Sequence, residues 1–352
     1  MFHPARCPYR SCSAHHAPRP GFYKRHGSYV ARCRPHPIPR FICRSCGRSF
    51  SRQTFRMDYR DHRPDLNARL FELLASGIGL RQSARMLHLS RNSTERKFRK
   101  IGRHLRRLNL NLRGPLPPQA RLQLDEFETF EGRRNTRPLS VPVLIEAESR
   151  FLIWAEAVTI PPSGKMTPAR RQAIAWEQRR RGKRRNCSHL GVWRTLRRGA
   201  ALCGNLQRVR LATDEKVTYP GLAERAFGAQ RLVHTTTNSR EPRTVENPLF
   251  AINHTEAIAR DLTGRLRRES WLVSKKRRYL DLALHIFMAY RNYVRRRFNH
   301  DDASAAQRLG FLPRRLRVGE LLSWRQEWGE RSIHPLATRG ESVAQWRAAR
   351  AA

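Results

Sequence analysis

Acidic residues are scarce in this sequence of 352 residues, where 28 Asp and Glu stand against 71 Lys and Arg for a formal charge of +43. So lopsided a balance leaves a polyanion as the natural partner, because each phosphate neutralised by Lys or Arg releases condensed counterions. Nucleic acid is the first candidate. Long apolar runs are lacking as well, which excludes a membrane-spanning helix. The N-terminus shows no secretory signal pattern, so the chain reads as soluble and cytoplasmic. Cysteine is sparse at seven residues, and four of these fall in two close pairs, which suits metal ligation in a reducing compartment better than a disulfide framework. What is present is ample: 39% hydrophobic residues can fill the cores of two or three domains. The excess of Arg over Lys suits bidentate phosphate contacts and would equally follow from a GC-rich genome.

The paired cysteines lie in "CPYRSC" (Cys7, Cys12) and "FICRSCGRSF" (Cys43, Cys46). Two knuckles of this kind bring four sulfurs to one tetrahedral Zn²⁺, and residues 1–60 read as a zinc ribbon. A segment this short buries little apolar surface, so the ion would carry much of its folding free energy. Cys33 sits outside both knuckles and reads as a packed thiol. His15, His16 and His36 are competing ligands that four well-spaced sulfurs make unnecessary.

From residue 61 to 110 the period is helical. Leu66, Leu70, Leu73 and Leu74 mark one helix, Gly77 to Gly79 a break, Ala84 and Leu87 a second short helix, and Ser90 the cap of a third. This is a helix-turn-helix layout whose third helix would offer Arg91, Asn92, Arg96, Arg99 and Lys100 to a DNA groove. A plain three-helix packing module is the alternative. "NLRGPLPPQA" (111–120) reads as a linker. Beyond it the period becomes two: "RLQLDEFETFEG", "LSVPVLIEAES" and "FLIWAEAVTI" predict an antiparallel meander, with a fourth strand in "RVRLATD" and a fifth in "AQRLVHTTT". The expected class is multidomain α+β with a mixed sheet in the third domain.

Asp125 falls within the first of these strands and Asp214 at the end of the fourth. Two carboxylates on neighbouring strands, with a third on a later helix, can hold two Mg²⁺ ions for phosphoryl transfer. The alternative reading of each acid is a solvated charge at a strand end.

The ordered set of zinc knuckles, helix-turn-helix, "LQLDEFETF", "LATDE" and "NPLFAINHTEAIARDLTGRLRRESWLVSKKRR" resembles the DDE transposases of bacterial insertion sequences, particularly those with an N-terminal zinc ribbon. The resemblance runs from Cys7 to about residue 325. It implies an RNase H-like catalytic domain over 121–300, with Asp125 and Asp214 as the first two metal ligands. It further implies a nucleoid-associated protein that cuts and joins double-stranded DNA at element ends and target, as a dimer or larger assembly. In such relatives a basic residue often follows the third ligand by seven positions and touches DNA. Counting back from Arg260 gives Asn253, an amide, while Glu256 lies one turn from both on the same helix face. Glu256 is taken as the third carboxylate with Asn253 beside it, and Glu246, beyond Pro248, as the weaker choice. An inactive copy that has lost its third acid and a simple Glu256–Arg260 pair are the alternatives.

The segment 161–200 carries a basic block from Arg179 to Arg185, read either as a phosphate track or as a solvated loop. "YLDLALHIFMAYRNYVRRRF" reads as a long core helix, and 301–352 as a final helical piece and a tail. A non-enzymatic regulator built from the ribbon and the helix-turn-helix is the rival from another class.

Overall fold

The computed structural model describes residues 3–204, 206–267 and 270–324. After a single turn α1 (Ser13–His16), three short strands, β1 (Tyr23–Tyr29), β2 (Ile38–Cys43) and β3 (Ser49–Ser51), form an antiparallel sheet in that order. Its core is small: Phe22, Phe41, Phe50 and Phe55 cluster with Cys7, Cys12 and Cys43.

The connection from this sheet to the helices is tied by charge. Asp58 accepts from Arg34, Arg56 and Gln53. Asp61 receives the Lys97 ammonium at 2.6 Å, and that ammonium also donates to the Arg63 carbonyl and the Asn67 side chain. Both charges are almost fully buried, which is tolerable only because every proton of the ammonium has an acceptor.

Three helices follow: α2 (Leu66–Ala75), α3 (Leu80–Met86) and α4 (Arg91–Asn111). The break after α2 runs through Gly77 at φ +80°, a conformation that costs an L side chain. Ser90 accepts from the Ser93 amide and caps α4, as the sequence predicts. Phe98, Ile101, Leu105, Leu108 and Leu112 recur at spacings of three and four and are all buried. That stripe packs along a later helix, so these helices share one hydrophobic cluster with the sheet that follows. The stretch read as a linker is non-helical after Leu112 but tightly held: Leu116 is buried and its amide donates to the Leu202 carbonyl.

The larger sheet contains β4 (Arg121–Phe130), β5 (Pro138–Glu146), β6 (Phe151–Ala155), a short β7 (Val158–Thr159) beside β5, β8 (Val209–Asp214) and β9 (Leu232–Thr237). Its order is β6-β5-β4-β8-β9. The first three strands are the predicted antiparallel meander, whereas β4–β8 and β8–β9 are parallel. Two helices, α5 (Pro168–Arg181) and α6 (Ser188–Cys203), fill the crossover to β8, and α7 (Tyr219–Phe227) joins β8 to β9.

Alternate strand residues face opposite layers. Leu122, Leu124 and Leu144 pack in one cluster with Val192 and Leu196 of α6. Phe127, Val143 and Ile145 pack in another with Ile252 and Ala259 of α8 (Phe250–Leu262) and Leu284 of α9 (Arg277–Ala289). The run predicted as one long helix stops being α-helical at Ala289 and passes into a π-helical turn, Tyr290–Val294. There Asn292 hydrogen-bonds both backbone groups of Leu152 and Tyr293 donates to the Leu112 carbonyl, so the turn is pinned to β6 and to the end of α4. Two short helices, α10 (Ala305–Arg308) and α11 (Val318–Ser323), end the described chain. The tail reading for 327–352 lies outside the described residues.

The fold is thus mixed α+β with a mixed six-stranded sheet and a separate small N-terminal sheet.

Candidate metal centres

The four knuckle cysteines converge. Their sulfurs all lie within 4.8 Å of one another, with Cys7 to Cys46 at 3.8 Å and Cys12 to Cys43 at 3.7 Å. A tetrahedral ion with Zn–S bonds of about 2.3 Å requires sulfurs about 3.8 Å apart, so the set fits one Zn²⁺. Burial works against a thiolate at Cys43, yet the amides of Cys46 and Ser45 pointing at it outweigh that and hold its pKa down to about 7. Burial instead drives the Cys7 thiol well up, so an ion would have to displace its proton. The second knuckle turns at Gly47, φ +69°. His15 and His16 face backbone carbonyls, of Cys7 and Arg10, rather than the sulfurs. Cys33 is half-buried with its sulfur 3.5 Å from the Asp61 carbonyl.

The acid site is built differently. In the parallel ladder Gln123 pairs with Ala212, and the same register continued by two residues sets Asp125 beside Asp214. Both carboxylates then lie on the α8 side of the sheet, since side chains two apart share a face. Gln123 fixes α8 there: its amide donates to the Pro248 carbonyl at 2.7 Å and its oxygen accepts from the Ile252 amide at 2.9 Å. Further along, the Arg260 guanidinium lies over the Phe127 ring. With Ile252 level with Gln123 and Arg260 level with Phe127, Glu256 comes level with Asp125. Four residues of helix rise about 6 Å and two of strand about 6.6 Å, so the match persists along both elements. Asn253 is one turn lower and half-buried.

Glu256 is 3% exposed and its carboxylate is 4.0 Å from Arg260. Glu246 is exposed in the loop before α8. Burial, and then the neighbouring charge of Asp214, push the Asp125 carboxyl up to about 6, with Arg243 partly offsetting them. Negative charge is therefore crowded where a cation would relieve it. The carboxylates nevertheless do not form a compact cage: among the described residues, the cysteines are the only group of three or more such ligands drawn within 4.8 Å.

One participant was missed from sequence. Glu126, on the opposite face from Asp125, is buried and accepts from Ser140 at 2.6 Å, Ser188 at 2.8 Å and the Tyr219 hydroxyl at 3.1 Å, and it pairs with Lys216. The Lys216 amide donates to Asp214 at 3.1 Å. This network binds the turn after β8 to β4, α6 and α7, and so positions Asp214. The only signal in sequence was the proximity of Glu126 to Asp125 and of Lys216 to Asp214.

Of the cations assigned to the third helix, Arg91, Asn92 and Arg96 are exposed on α4 and Arg99 is half-exposed, whereas Lys100 turns back to donate to the Tyr59 carbonyl. The basic block divides: Arg179, Arg180 and Arg181 are exposed in the last turn of α5, while Arg184 is held by Glu131 and the carbonyls of Pro138 and Ile160. Arg133 and Arg180 both lie against the ring of Trp176, a basic and aromatic surface not anticipated from sequence.

No protein-family model matches the chain, and no curated protein matches it.

Proposed function

We propose that the chain is a DNA transposase of the DDE class, with a zinc ribbon, a helix-turn-helix and an RNase H-like catalytic domain. The observation that carries this reading is the parallel β4–β8 register, which sets Asp125 beside Asp214, with α8 bringing Glu256 to the same level. An antiparallel meander extended by two parallel strands, with helices on both faces, agrees with it.

Asp125, Asp214 and Glu256 would hold two Mg²⁺ ions, with the Asn253 amide alongside. When bound, the ions supply Lewis-acid stabilisation to an in-line attack on phosphorus by water and then by a freed 3′-hydroxyl. The chain's own contribution is placement. Gln123 sets the height of α8, and the Glu126–Lys216 network fixes the turn bearing Asp214. Asp125, half-protonated near pH 6, must lose its proton before it can serve as a ligand. Arg91, Asn92, Arg96 and Arg99 face outward for groove contacts with element ends.

The test is Mg²⁺-dependent cleavage of DNA bearing the element ends. Asp125→Asn and Asp214→Asn should each abolish cutting and joining while leaving DNA binding intact or slightly tighter. Should Asp214→Asn cut as well as the parent, the catalytic reading is wrong and a ribbon and helix-turn-helix regulator becomes the better account.

A further inference from the structure

On the flank of α8 away from the acids, positive charge is concentrated, with Glu146 as a partial counter-charge to Arg150. Arg291 is 3% exposed, within the π-helical turn, and Arg150 is half-buried in the turn between β5 and β6 at φ +62°. The Nε of Arg291 and the Nε and Nη1 of Arg150 are buried and meet no acceptor. Other arginines crowd them: burial first, then Arg295 and Arg150, bring the Arg291 pKa down to about 10, and burial and then Arg297 lower that of Arg150. The neighbouring acids are engaged elsewhere. Glu146 accepts from Ser149 and from the amides of Arg121 and Glu148, and Asp301 accepts from Arg308 and pairs with Arg297.

A buried guanidinium without a partner is among the costlier arrangements in a protein interior. A fold that holds one in place, next to a second, is built to receive an anion. Guanidinium donors match the oxygens of a phosphate in a two-pronged geometry. The surroundings suit a nucleotide strand better than a free ion. The Arg150 guanidinium lies 5.5 Å from the Phe250 ring and 5.6 Å from that of Phe298, and His254 stacks on Phe250. Phe298 is exposed, so the cluster opens outward. π-Helical turns also concentrate at functional positions.

We infer that Arg150, Arg291 and Arg295, beside His254, form a binding site for a backbone phosphate of DNA crossing the outer side of α8. The inference rests on the DNA reading above but not on its chemistry, and places a positioning contact within two residues of Asn253 and Glu256.

Affinity for a short duplex oligonucleotide, measured by fluorescence anisotropy over a range of salt without divalent metal, tests it together with thermal melting of the free protein. Arg291→Met should raise the melting temperature of the free protein, by removing an uncompensated buried charge, and should weaken binding about tenfold with the salt slope reduced by about one. Arg150→Gln, a half-buried site less exposed to folding failure, should weaken binding similarly, while Arg69→Gln, on α2 and paired with Glu72, should not. Unchanged affinity and slope in both Arg291→Met and Arg150→Gln would overturn the site, as would a parent protein that binds no duplex. A parent that binds duplex but never cuts it defeats the catalytic reading alone, and the site is then judged on the variant comparison.

Discussion

The two candidate metal centres make a useful contrast. Four cysteines stand at the separations of a zinc tetrahedron, whereas the three acids are aligned by strand register and helix height without closing on one point. The difference follows from the ligands. Neutral thiols do not repel one another, and each knuckle presets two of them within one turn, so the geometry can be stored in the backbone. Carboxylates carry their charge before any ion arrives. Crowding them in a half-buried place raises a pKa, as at Asp125, and a fold can hold such groups near one another more cheaply than in contact. A structural site is built closed, and an acid site is left for its cations to close.

The largest effect that would sharpen this contrast is loss of the zinc. One Zn²⁺ per chain is expected by metal analysis, and Cys43→Ser or a strong chelator should unfold the small sheet, because a structural zinc contributes about 10–16 kcal/mol to such modules. A well-folded preparation containing no metal would end the comparison on this side. Next comes the third acid. Glu256→Gln should slow cleavage at least about a hundredfold, roughly 2.7 kcal/mol in the barrier, with Asn253→Ala intermediate and Glu246→Gln near the parent. Equal rates for Glu256→Gln and Glu246→Gln would remove Glu256 from the site and leave it a partner of Arg260.

The smallest effect is on stability in the absence of divalent metal. The Asp125 carboxyl is raised in the folded protein, so between about pH 4 and 6 the folded state binds more protons than the unfolded, and this group's contribution to stability falls as pH rises through that window. Asp125→Asn should therefore melt a few degrees higher than the parent at neutral pH, the advantage shrinking as pH falls towards 4. A constant difference across that range would show that the Asp125 carboxyl is not raised in the folded protein.

Much of the architecture was legible in the sequence because it rests on local rules. Strand-like runs marked five of the six strands of the larger sheet, with β7 inside the run read as the third, Ser90 announced α4, and the knuckle spacing found the four sulfurs. What escaped depends on contacts between distant residues. Nothing in the sequence singles out Lys97, and only its packing against Asp61, 36 residues earlier, makes it a buried ion pair. Glu126 looked like an alternating strand charge until α6 and α7 closed over it. Lys100 was grouped with outward cations because helix periodicity cannot say that the backbone at Tyr59 passes within reach. The π-helical turn was invisible for a similar reason: its apolar spacing continues that of α9, and the extra residue follows from pinning at Leu152 and Leu112.

The packing of α4 along α9 has a mechanical consequence. It is reinforced where the turn between α2 and α3 meets the chain after α8: a Cβ at Gly264 would stand 2.4 Å from the Gly77 carbonyl oxygen, and backbone cannot swing aside. The segment carrying Arg91 and Asn92 and the segment carrying Glu256 are therefore not two bodies on a tether but two marks on one rigid rule. The distance between the two marks is set where backbone meets backbone, and a single methyl group at Gly264 would reset it.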